Sequence, residues 1–183
     1  MHSIKNLIKL QGGEYIALER LESTYKSCNL VSNLCVHATP EATQPIAIAV
    51  PHEGHLRAVL PEEDAHISLA DLCARPKVKA LVLKECNAAG KKSGFKGMEM
   101  LQAVVLTTDE WTPESGLVTA AQKIQRKKIA QKYAAEIKVR FVCFVGFRRL
   151  KTFRSPLYRR LTAERTEFVP VNRITYFHPA TQR

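Results

Sequence analysis

The stretch from Trp111 to Ile129 reads WTPESGLVTAAQKIQRKKI and changes character in its middle. Its first part carries Pro113 and Gly116, residue types that interrupt regular structure and mark loops. A single lysine, Lys123, follows before the sequence becomes basic and helix-forming. A lysine held on a loop, rather than on a solvated helix face, can be directed at an anionic substrate.

The basic part predicts a final helix over residues 125–137. Ile129, Tyr133 and Ile137 are four residues apart and would share one face, while lysine, arginine and glutamine occupy the other.

The residues near the N-terminus predict a hairpin, a helix and two strands. Two short extended pieces flank Gly12 and Gly13, which favour a tight turn. Apolar residues at three- and four-residue steps predict a helix over residues 17–28. The β-prone runs 30–38 and 45–51 predict two strands joined by a loop.

The middle of the chain predicts two helices and a third strand. Ser68, followed three residues later by an acidic residue, has capping-box spacing and predicts a helix over residues 69–74. A second helix is predicted over residues 76–89, ended by the glycine-containing stretch 90–94. The apolar run 101–106 predicts a buried strand. This order predicts an α+β fold with a small mixed three-stranded sheet, flanking helices and an N-terminal β-hairpin.

Charge divides the 183 residues unevenly. The formal net charge is +11; residues 1–138 hold 18 basic and 15 acidic side chains, and residues 139–183 hold 10 and 2. We therefore predict one domain over residues 1–138 and a basic tail over residues 139–183. The tail is either an anion- or membrane-binding extension or a loosely packed or disordered segment.

Cysteine usage and hydropathy predict an intracellular chain that does not span a membrane. The five cysteines are an odd number without CxxC spacing, and no secretory leader precedes them. Buried free thiols in a reduced compartment are the expectation. No apolar run approaches the ~20 residues that span a bilayer. The pair His52 and His55 lacks HExxH spacing, so residues 52–55 are predicted to be a surface turn without metal.

Two motifs together resemble a known family. They are WTPESGLVTAAQKIQRKKI and the opening IKNLIKLQGGEYIALERLE, residues 4–22. Over about residues 4–138 the chain resembles the C-terminal subdomain of the AMP-forming adenylating enzymes, most closely the fungal-type long-chain fatty-acid–CoA ligases. The resemblance implies a mobile lid for ATP-dependent activation of a fatty acid, with Mg²⁺, and thioester formation with coenzyme A.

The resemblance also implies roles for residues of the second motif. Lys123 is similar in position to the family's adenylation lysine, and Arg126 matches the basic residue three positions later, on the side that faces substrate or coenzyme A. Family members usually carry glycine or an aromatic residue just before the lysine, whereas this chain has Gln122, as fungal long-chain ligases do.

The opening motif is similar to the hinge and to the surface used in thioester formation. Lys5 and Asn6 lie where the family's lid pivots. Lys9 and Gly12 would face coenzyme A, glycine allowing the pantetheine arm to pass close to the backbone. An ordinary charged hairpin with a glycine turn is the alternative, and for Lys9 it stays open.

Departures from the family predict a lid without its partner domain. His2 and Ser3 stand where the family has the acidic–arginine pair that contacts the nucleotide ribose. We find no phosphate loop, acyl pocket or adenine-binding motif in the 183 residues. We therefore expect the chain alone to be inactive. Its expected partners are an N-terminal adenylation domain, the fatty acyl-adenylate and coenzyme A. Its expected location is the cytosolic side of the cell, with peripheral contact to endoplasmic reticulum, lipid-droplet or peroxisomal membranes left open.

A rival function comes from the tail. Residues 147–165 interleave aromatic and basic side chains, which suit a non-catalytic module that binds nucleic acid or an anionic membrane. Residues 1–138 carry no recognisable nucleic-acid-binding motif, so nucleic acid is not an expected partner of that part. Two further alternatives are a fragment without function and a tail foreign to the family, from a translated intron or shifted frame.

Overall fold

The computed structural model of the chain describes residues 6–61, 64 and 66–139. Their strands and helices follow one another in this order: β1 (Leu7–Lys9), β2 (Tyr15–Ala17), α1 (Leu18–Tyr25), β3 (Val31–His37), β4 (Ile46–Pro51), α2 (Glu53–Val59), α3 (Leu69–Ala74), α4 (Pro76–Lys92), a 3₁₀ turn (Gly97–Glu99), β5 (Ala103–Leu106) and α5 (Arg126–Lys132).

The central feature is a mixed three-stranded sheet in the order β3-β4-β5. β4 pairs antiparallel with β3, Ile48 opposite Cys35, and parallel with β5, Ile48 opposite Val105. A hairpin connection suffices for the first pairing, whereas a parallel pairing needs a long crossover, here made by α2, α3 and α4. The predicted α+β fold with a mixed three-stranded sheet is confirmed.

Both faces of the sheet are buried, and the alternation of β4 shows how. Ala47 and Ala49 face the larger core, where small side chains meet α1, α3 and α4. Ile46 and Ile48 face a second core formed with Trp111 and α5. All four of these side chains are fully buried. Since side chains alternate along a strand, the sequence IAIA places one residue type on each face.

The predicted N-terminal hairpin is confirmed. β1 and β2 pair antiparallel with Ile8 opposite Ile16, and Ile16 is fully buried. α1 follows β2 directly and buries Leu21 and Tyr25. It ends at Tyr25, three residues before the predicted end at Cys28.

Helix α3 has the predicted bounds, because Ser68 Oγ accepts a hydrogen bond from Asp71 N at 3.2 Å and caps it. Helix α4 continues to Lys92, so its predicted end near residue 89 is wrong. The chain leaves α4 at Gly94, which has φ +74°, in a Schellman motif where Phe95 N donates to Gly90 O.

Gly90 therefore lies inside α4 and does not end it. A Cβ atom there would lie 3.0 Å from Phe95 and 3.1 Å from Tyr25, closer than ordinary contacts allow. The two rings meet edge to face with centroids 5.4 Å apart. Glycine is needed at position 90 because α1 approaches it this closely. The prediction that Gly90 helps to end α4 is wrong.

The predicted surface turn at residues 52–55 is wrong, because these residues begin α2. His52 caps the helix, its Nδ1 accepting from His55 N at 3.4 Å. The two imidazoles stack with centroids 4.1 Å apart, and His55 Nδ1 lies 2.8 Å from Asn29 O. The two histidines therefore stabilise the start of α2. Among the described residues they do not belong to a group of three or more side chains that could hold a metal ion.

Three predictions concern residues outside the described ranges: Lys5, the basic segment 147–165 and the larger tail that begins at residue 139, of which only Val139 is described. The domain boundary at residue 138 stays a prediction. In the described ranges no helix combines the length and apolar character needed to cross a membrane.

Candidate functional site

Lys123 closes a tight turn that the sequence did not predict as a hairpin. Val118 and Ile124 form an antiparallel bridge. Between them Thr119 N donates to Lys123 O at 2.9 Å, and Gln122 N donates to Thr119 O at 2.8 Å. Residues 119–123, called the lysine turn from here on, are thus held by two crossed backbone hydrogen bonds.

Gln122 occupies the left-handed region, with φ +56°. Only glycine adopts this region without a steric cost, which for other residues is ~1–2 kcal/mol. This explains why glycine suits the position before the lysine. A side-chain bond supports the strained turn, since Lys123 N donates to Thr119 Oγ1 at 3.1 Å.

The residues that lead into the lysine turn are buried, and its tip is exposed. Leu117 and Val118, which lead into it, are buried with Trp111 and Ile129 against the sheet. The Lys123 side chain is exposed. Among the described residues no hydrogen bond or ion pair engages its ammonium group, which can therefore meet an external anion.

Arg126 opens α5 and is held by α1. Its Nε and one terminal nitrogen donate to the two carboxylate oxygens of Glu22 at 3.1 and 2.6 Å. Glu22 is 5% exposed, and its Oε1 also accepts from Val36 N at 3.0 Å. In this structure two nitrogens of the Arg126 guanidinium group donate to Glu22. That Arg126 faces substrate or coenzyme A stays a prediction.

The opening hairpin carries a second tight turn, residues 10–14, called the glycine turn from here on. Leu10 N donates to Glu14 O at 2.8 Å and Gly13 N donates to Leu10 O at 2.9 Å. Gly13 has φ +83°. Lys9, just before the turn, is exposed and places its ammonium 5.9 Å from the centre of the Tyr15 ring.

Gly12, at the exposed tip of the glycine turn, has room for a side chain within the chain itself. A Cβ atom would meet Glu14 Oε2 at 3.7 Å, an ordinary contact. The space around this position therefore does not itself require glycine.

Asn6, predicted at the hinge, also has a left-handed backbone, with φ +83°. Its side-chain Nδ2 donates to Glu19 Oε1 at 2.8 Å, and its carbonyl accepts from Leu18 N at 3.3 Å. Arg126 lies 3.8 Å from the same Glu19 oxygen. Two predicted site residues, Asn6 and Arg126, are thus brought together through Glu19.

Glu19 and Glu22 were missed by sequence reasoning. They lie on one turn of α1, and their partner Arg126 is more than a hundred residues away. The one local signal is that Glu22 belongs to the buried face of an amphipathic helix, where an acidic residue needs a partner.

A polar cluster fixes the other end of α5. Tyr133 Oη lies 3.1 Å from Thr107 Oγ1 and donates to Asp109 Oδ2 at 2.8 Å. Lys132 Nζ lies 2.7 Å from the same Asp109 oxygen. The hydrogen bonds from Lys132 and then Tyr133 lower the pKa of Asp109 below its ordinary value.

The described residues offer no group of three or more His, Cys, Asp or Glu side chains arranged to hold a metal ion. They therefore form no dedicated metal site. The four cysteines in these ranges are free and buried, as predicted: Cys28, Cys35, Cys73 and Cys86. Burial raises the pKa of Cys35 to about 12, so that thiol is protonated at neutral pH and serves as core.

Comparison with known proteins identifies the relatives of this chain. No protein-family model matches it. It is 46% identical over 136 residues to long-chain-fatty-acid–CoA ligase 1 of Schizosaccharomyces pombe, covering 73% of this chain and 20% of the relative. It is 39% identical over 131 residues to ligase 1 of Saccharomyces cerevisiae, covering 68% and 19%.

The fold has a solved counterpart in the A domain of carboxylic acid reductase from Segniliparus rugosus, in complex with AMP and a co-purified carboxylic acid. The TM-score is 0.63 at 24% identity, covering 76% of this chain and 20% of the other. The chain spans about a fifth of the length of the curated relatives it matches. Over about 70% of its own length it is a homologue of the fungal long-chain-fatty-acid–CoA ligases, with the fold found in AMP-forming adenylation domains.

Proposed function

We propose that residues 4–138 are the mobile lid of a long-chain fatty-acid–CoA ligase, and that Lys123 is its adenylation lysine. The observation that carries the proposal is the exposed, uncommitted ammonium group on a turn whose base is buried. A separate N-terminal adenylation domain supplies the sites for ATP and for the fatty acid.

In the first half-reaction the fatty-acid carboxylate attacks the α-phosphorus of ATP. A new oxygen–phosphorus bond forms, and the bond to pyrophosphate breaks. Lys123 brings a positive charge to the carboxylate and the phosphate oxygens, where two anions must approach and charge builds up. The hydrogen bonds of the lysine turn fix the backbone that presents this charge.

In the second half-reaction the coenzyme A thiol attacks the acyl carbon of the adenylate and AMP leaves. We assign Lys9 and Gly12 to the surface that faces coenzyme A, and the hinge to Lys5 and Asn6. Lys9 and Gly12 are exposed on the opening hairpin, and Asn6 precedes it in a left-handed backbone conformation.

The test is a chimera in which the whole chain follows the N-terminal domain of the S. pombe ligase. Palmitate-dependent pyrophosphate release reports adenylation, and coenzyme A thioester formed from preformed palmitoyl-adenylate reports the second step. Lys123→Ala is expected to lower adenylation by about 100-fold or more, since a removed transition-state charge contact costs that much. Thioester formation from the adenylate is expected to stay near the unmodified rate.

Lys127→Ala is the matched control, because Lys127 is an exposed lysine four residues after Lys123 and lies in α5 instead of on the lysine turn. It is expected to leave both half-reactions unchanged. Equal losses in both half-reactions for Lys123→Ala would refute the division of labour. A folded chimera that forms no adenylate even without substitution would refute the lid itself.

The boundary near residue 138 and the inactivity of the chain alone belong to the same proposal. Deleting residues 139–183 from the chimera is expected to leave both rates unchanged. The 183-residue chain without the N-terminal domain is expected to form no thioester. Activity of the isolated chain would show that the catalytic sites do not lie in a separate domain.

A further inference from the structure

Among the described residues, the ion pair between Glu22 and Arg126 is the most deeply buried one that involves a predicted site residue. The Glu22 side chain is 7% exposed and that of Arg126 is 21% exposed. Two parallel donor–acceptor contacts make the pair bidentate. Such a fork fixes direction as well as distance, which a lysine ammonium cannot do.

The pair joins three elements at the exit of the lysine turn. Arg126 is the first residue of α5 and stands three positions after Lys123. Glu22 lies in α1, and its carboxylate also receives Val36 N of β3. Three donors bond to the Glu22 carboxylate and fix its position. The start of α5 is therefore linked through Glu22 to both α1 and the sheet.

Glu19 extends the same network toward the hinge. One of its oxygens receives the Asn6 amide at 2.8 Å and lies 3.8 Å from Arg126. The segment predicted to pivot and the segment that presents the lysine therefore share a carboxylate.

We propose that Glu22 and Arg126 are positioning residues for Lys123, in place of a direct role of Arg126 at the substrate; this rests on the proposed function. Without the fork the exit of the lysine turn keeps the Val118–Ile124 bridge and the hydrogen bond from Gln125 N to Leu117 O at 2.9 Å, but it loses its charge-assisted link to α1. Misplacing a reacting group by about 1 Å can cost as much as ~100-fold in rate.

The chain offers a control for the same substitution in a second arginine–glutamate pair. One terminal nitrogen of Arg20, whose side chain is 59% exposed, donates to Glu99 at 3.0 Å, and the Glu99 side chain is 9% exposed. This pair holds the 3₁₀ turn onto α1 and does not involve the lysine turn. Arg126→Lys and Arg20→Lys make the same chemical change at the two pairs.

The first readout needs no catalysis and uses the full 183-residue chain. Amide hydrogen exchange is measured at Gln122 and Lys123, whose N–H groups are bonded within the lysine turn. Arg126→Lys is expected to accelerate their exchange about tenfold, the loss that one charge-assisted hydrogen bond gives. Arg20→Lys is expected to leave it unchanged. Equal exchange in both variants would overturn the proposal.

The second readout compares the two half-reactions in the chimera. Loss of a pair with only a structural role would not lower adenylation more than thioester formation. Arg126→Lys is expected to lower the adenylation kcat about tenfold while thioester formation from preformed adenylate stays within about twofold. Glu22→Gln, which keeps an acceptor for Val36 N, is expected to reproduce this split. A parallel fall in both half-reactions, or a similar fall in Arg20→Lys, would overturn the proposal.

The two ideas fail in different ways. If the unmodified chimera makes no adenylate, the proposed function is wrong, and the exchange experiment still decides whether the pair positions the turn. If the unmodified chimera is active and Arg126→Lys keeps its full adenylation rate, the positioning role is wrong and the lid function stands.

Discussion

The glycine turn and the lysine turn have the same backbone and different sequences. In each, the first residue donates to the fifth carbonyl and the fourth donates to the first carbonyl. In each, the fourth residue is left-handed: Gly13 at φ +83° and Gln122 at φ +56°. One turn uses the residue that adopts this conformation freely, and the other tolerates a side chain in it.

The difference lies in a side-chain bond. Both turns are anchored at their ends: the lysine turn follows buried Leu117 and Val118, and the glycine turn begins at buried Leu10, with Gln11 N donating to Ala42 O at 3.1 Å. In the lysine turn Thr119 Oγ1 also accepts from Lys123 N, which helps to hold Gln122 in a costly conformation. Leu10 stands at the same place in the glycine turn and has no hydroxyl, and glycine takes the left-handed position there.

The largest expected effect separates the two turns by half-reaction. In the chimera, Lys9→Ala is expected to lower thioester formation from preformed palmitoyl-adenylate about tenfold and to spare adenylation, the reverse of Lys123→Ala. Stopped assays of both steps measure this. If Lys9→Ala leaves both rates intact, the hairpin is an ordinary charged one, and only the lysine turn serves the reaction.

The next effect concerns Gly12 alone. Because a Cβ atom fits there without strain in the chain, Gly12→Ala is expected to change the free energy of unfolding by less than ~0.5 kcal/mol. If coenzyme A passes close to this backbone, the same variant raises the KM for coenzyme A by roughly tenfold. An unchanged KM would place the thioester surface elsewhere.

Gly13→Ala tests the backbone rather than the ligand. A methyl group at φ +83° meets no neighbour within 4 Å, so steric strain within the residue dominates and costs ~1 kcal/mol or slightly more. Urea unfolding of the full chain measures this. A loss as small as that of Gly12→Ala would mean that the turn relaxes to another form.

The matching substitution in the lysine turn has a smaller effect. Gln122→Gly removes the strain but adds freedom to the unfolded chain, and the two terms nearly cancel, within ~0.5 kcal/mol. Gln122→Val is expected to destabilise by ~1 kcal/mol, because a β-branched residue suits φ +56° least. If valine is tolerated as well as glycine, Gln122 is not held in a left-handed conformation in solution.

The smallest effect lies at the far end of α5 and depends on pH. Contacts with Lys132 and Tyr133 lower the pKa of Asp109. The stability it contributes is therefore present above its unfolded pKa, about 4, and is lost as pH falls through the lower folded value. Asp109 is 44% exposed, so Asp109→Asn should cost less than ~1 kcal/mol at pH 7.

The variant and the unmodified chain should converge in stability as pH falls through the lowered pKa of folded Asp109, because below it the carboxylate is protonated in both states. Urea unfolding at a series of pH values from 7 downward measures the convergence. A constant difference across this range would assign the loss to the Tyr133 hydrogen bond and not to the charge.

The parts of the fold that sequence predicted carry local signals. The glycine turn has two glycines, and α3 has Ser68 with Asp71 at capping distance. The IAIAVP run gives β4, since both of its faces are buried. Each of these signals lies within the element that it predicts.

The parts that were missed depend on distant contacts. Gly90 reads as a helix stop until Tyr25 and Phe95 are seen against it. The lysine turn has no glycine at its left-handed position, and α2 begins with two histidines and a glycine, which are weak helix formers. Glu22 of α1 pairs with Arg126 at the start of α5, and no local sequence pattern contains this relation.

The parallel pairing of β4 with β5 also sets the order in which the chain folds. β3 and β4 are joined by a short loop, whereas β5 reaches β4 only after α2, α3 and α4 have been laid down. Contacts between residues distant in sequence form slowly. The lysine turn follows β5 in sequence, and Leu117 and Val118 before it pack on the sheet with Ile48 and Val105. We therefore expect this turn to be acquired last in refolding, so that a partly folded chain has its sheet before it presents Lys123.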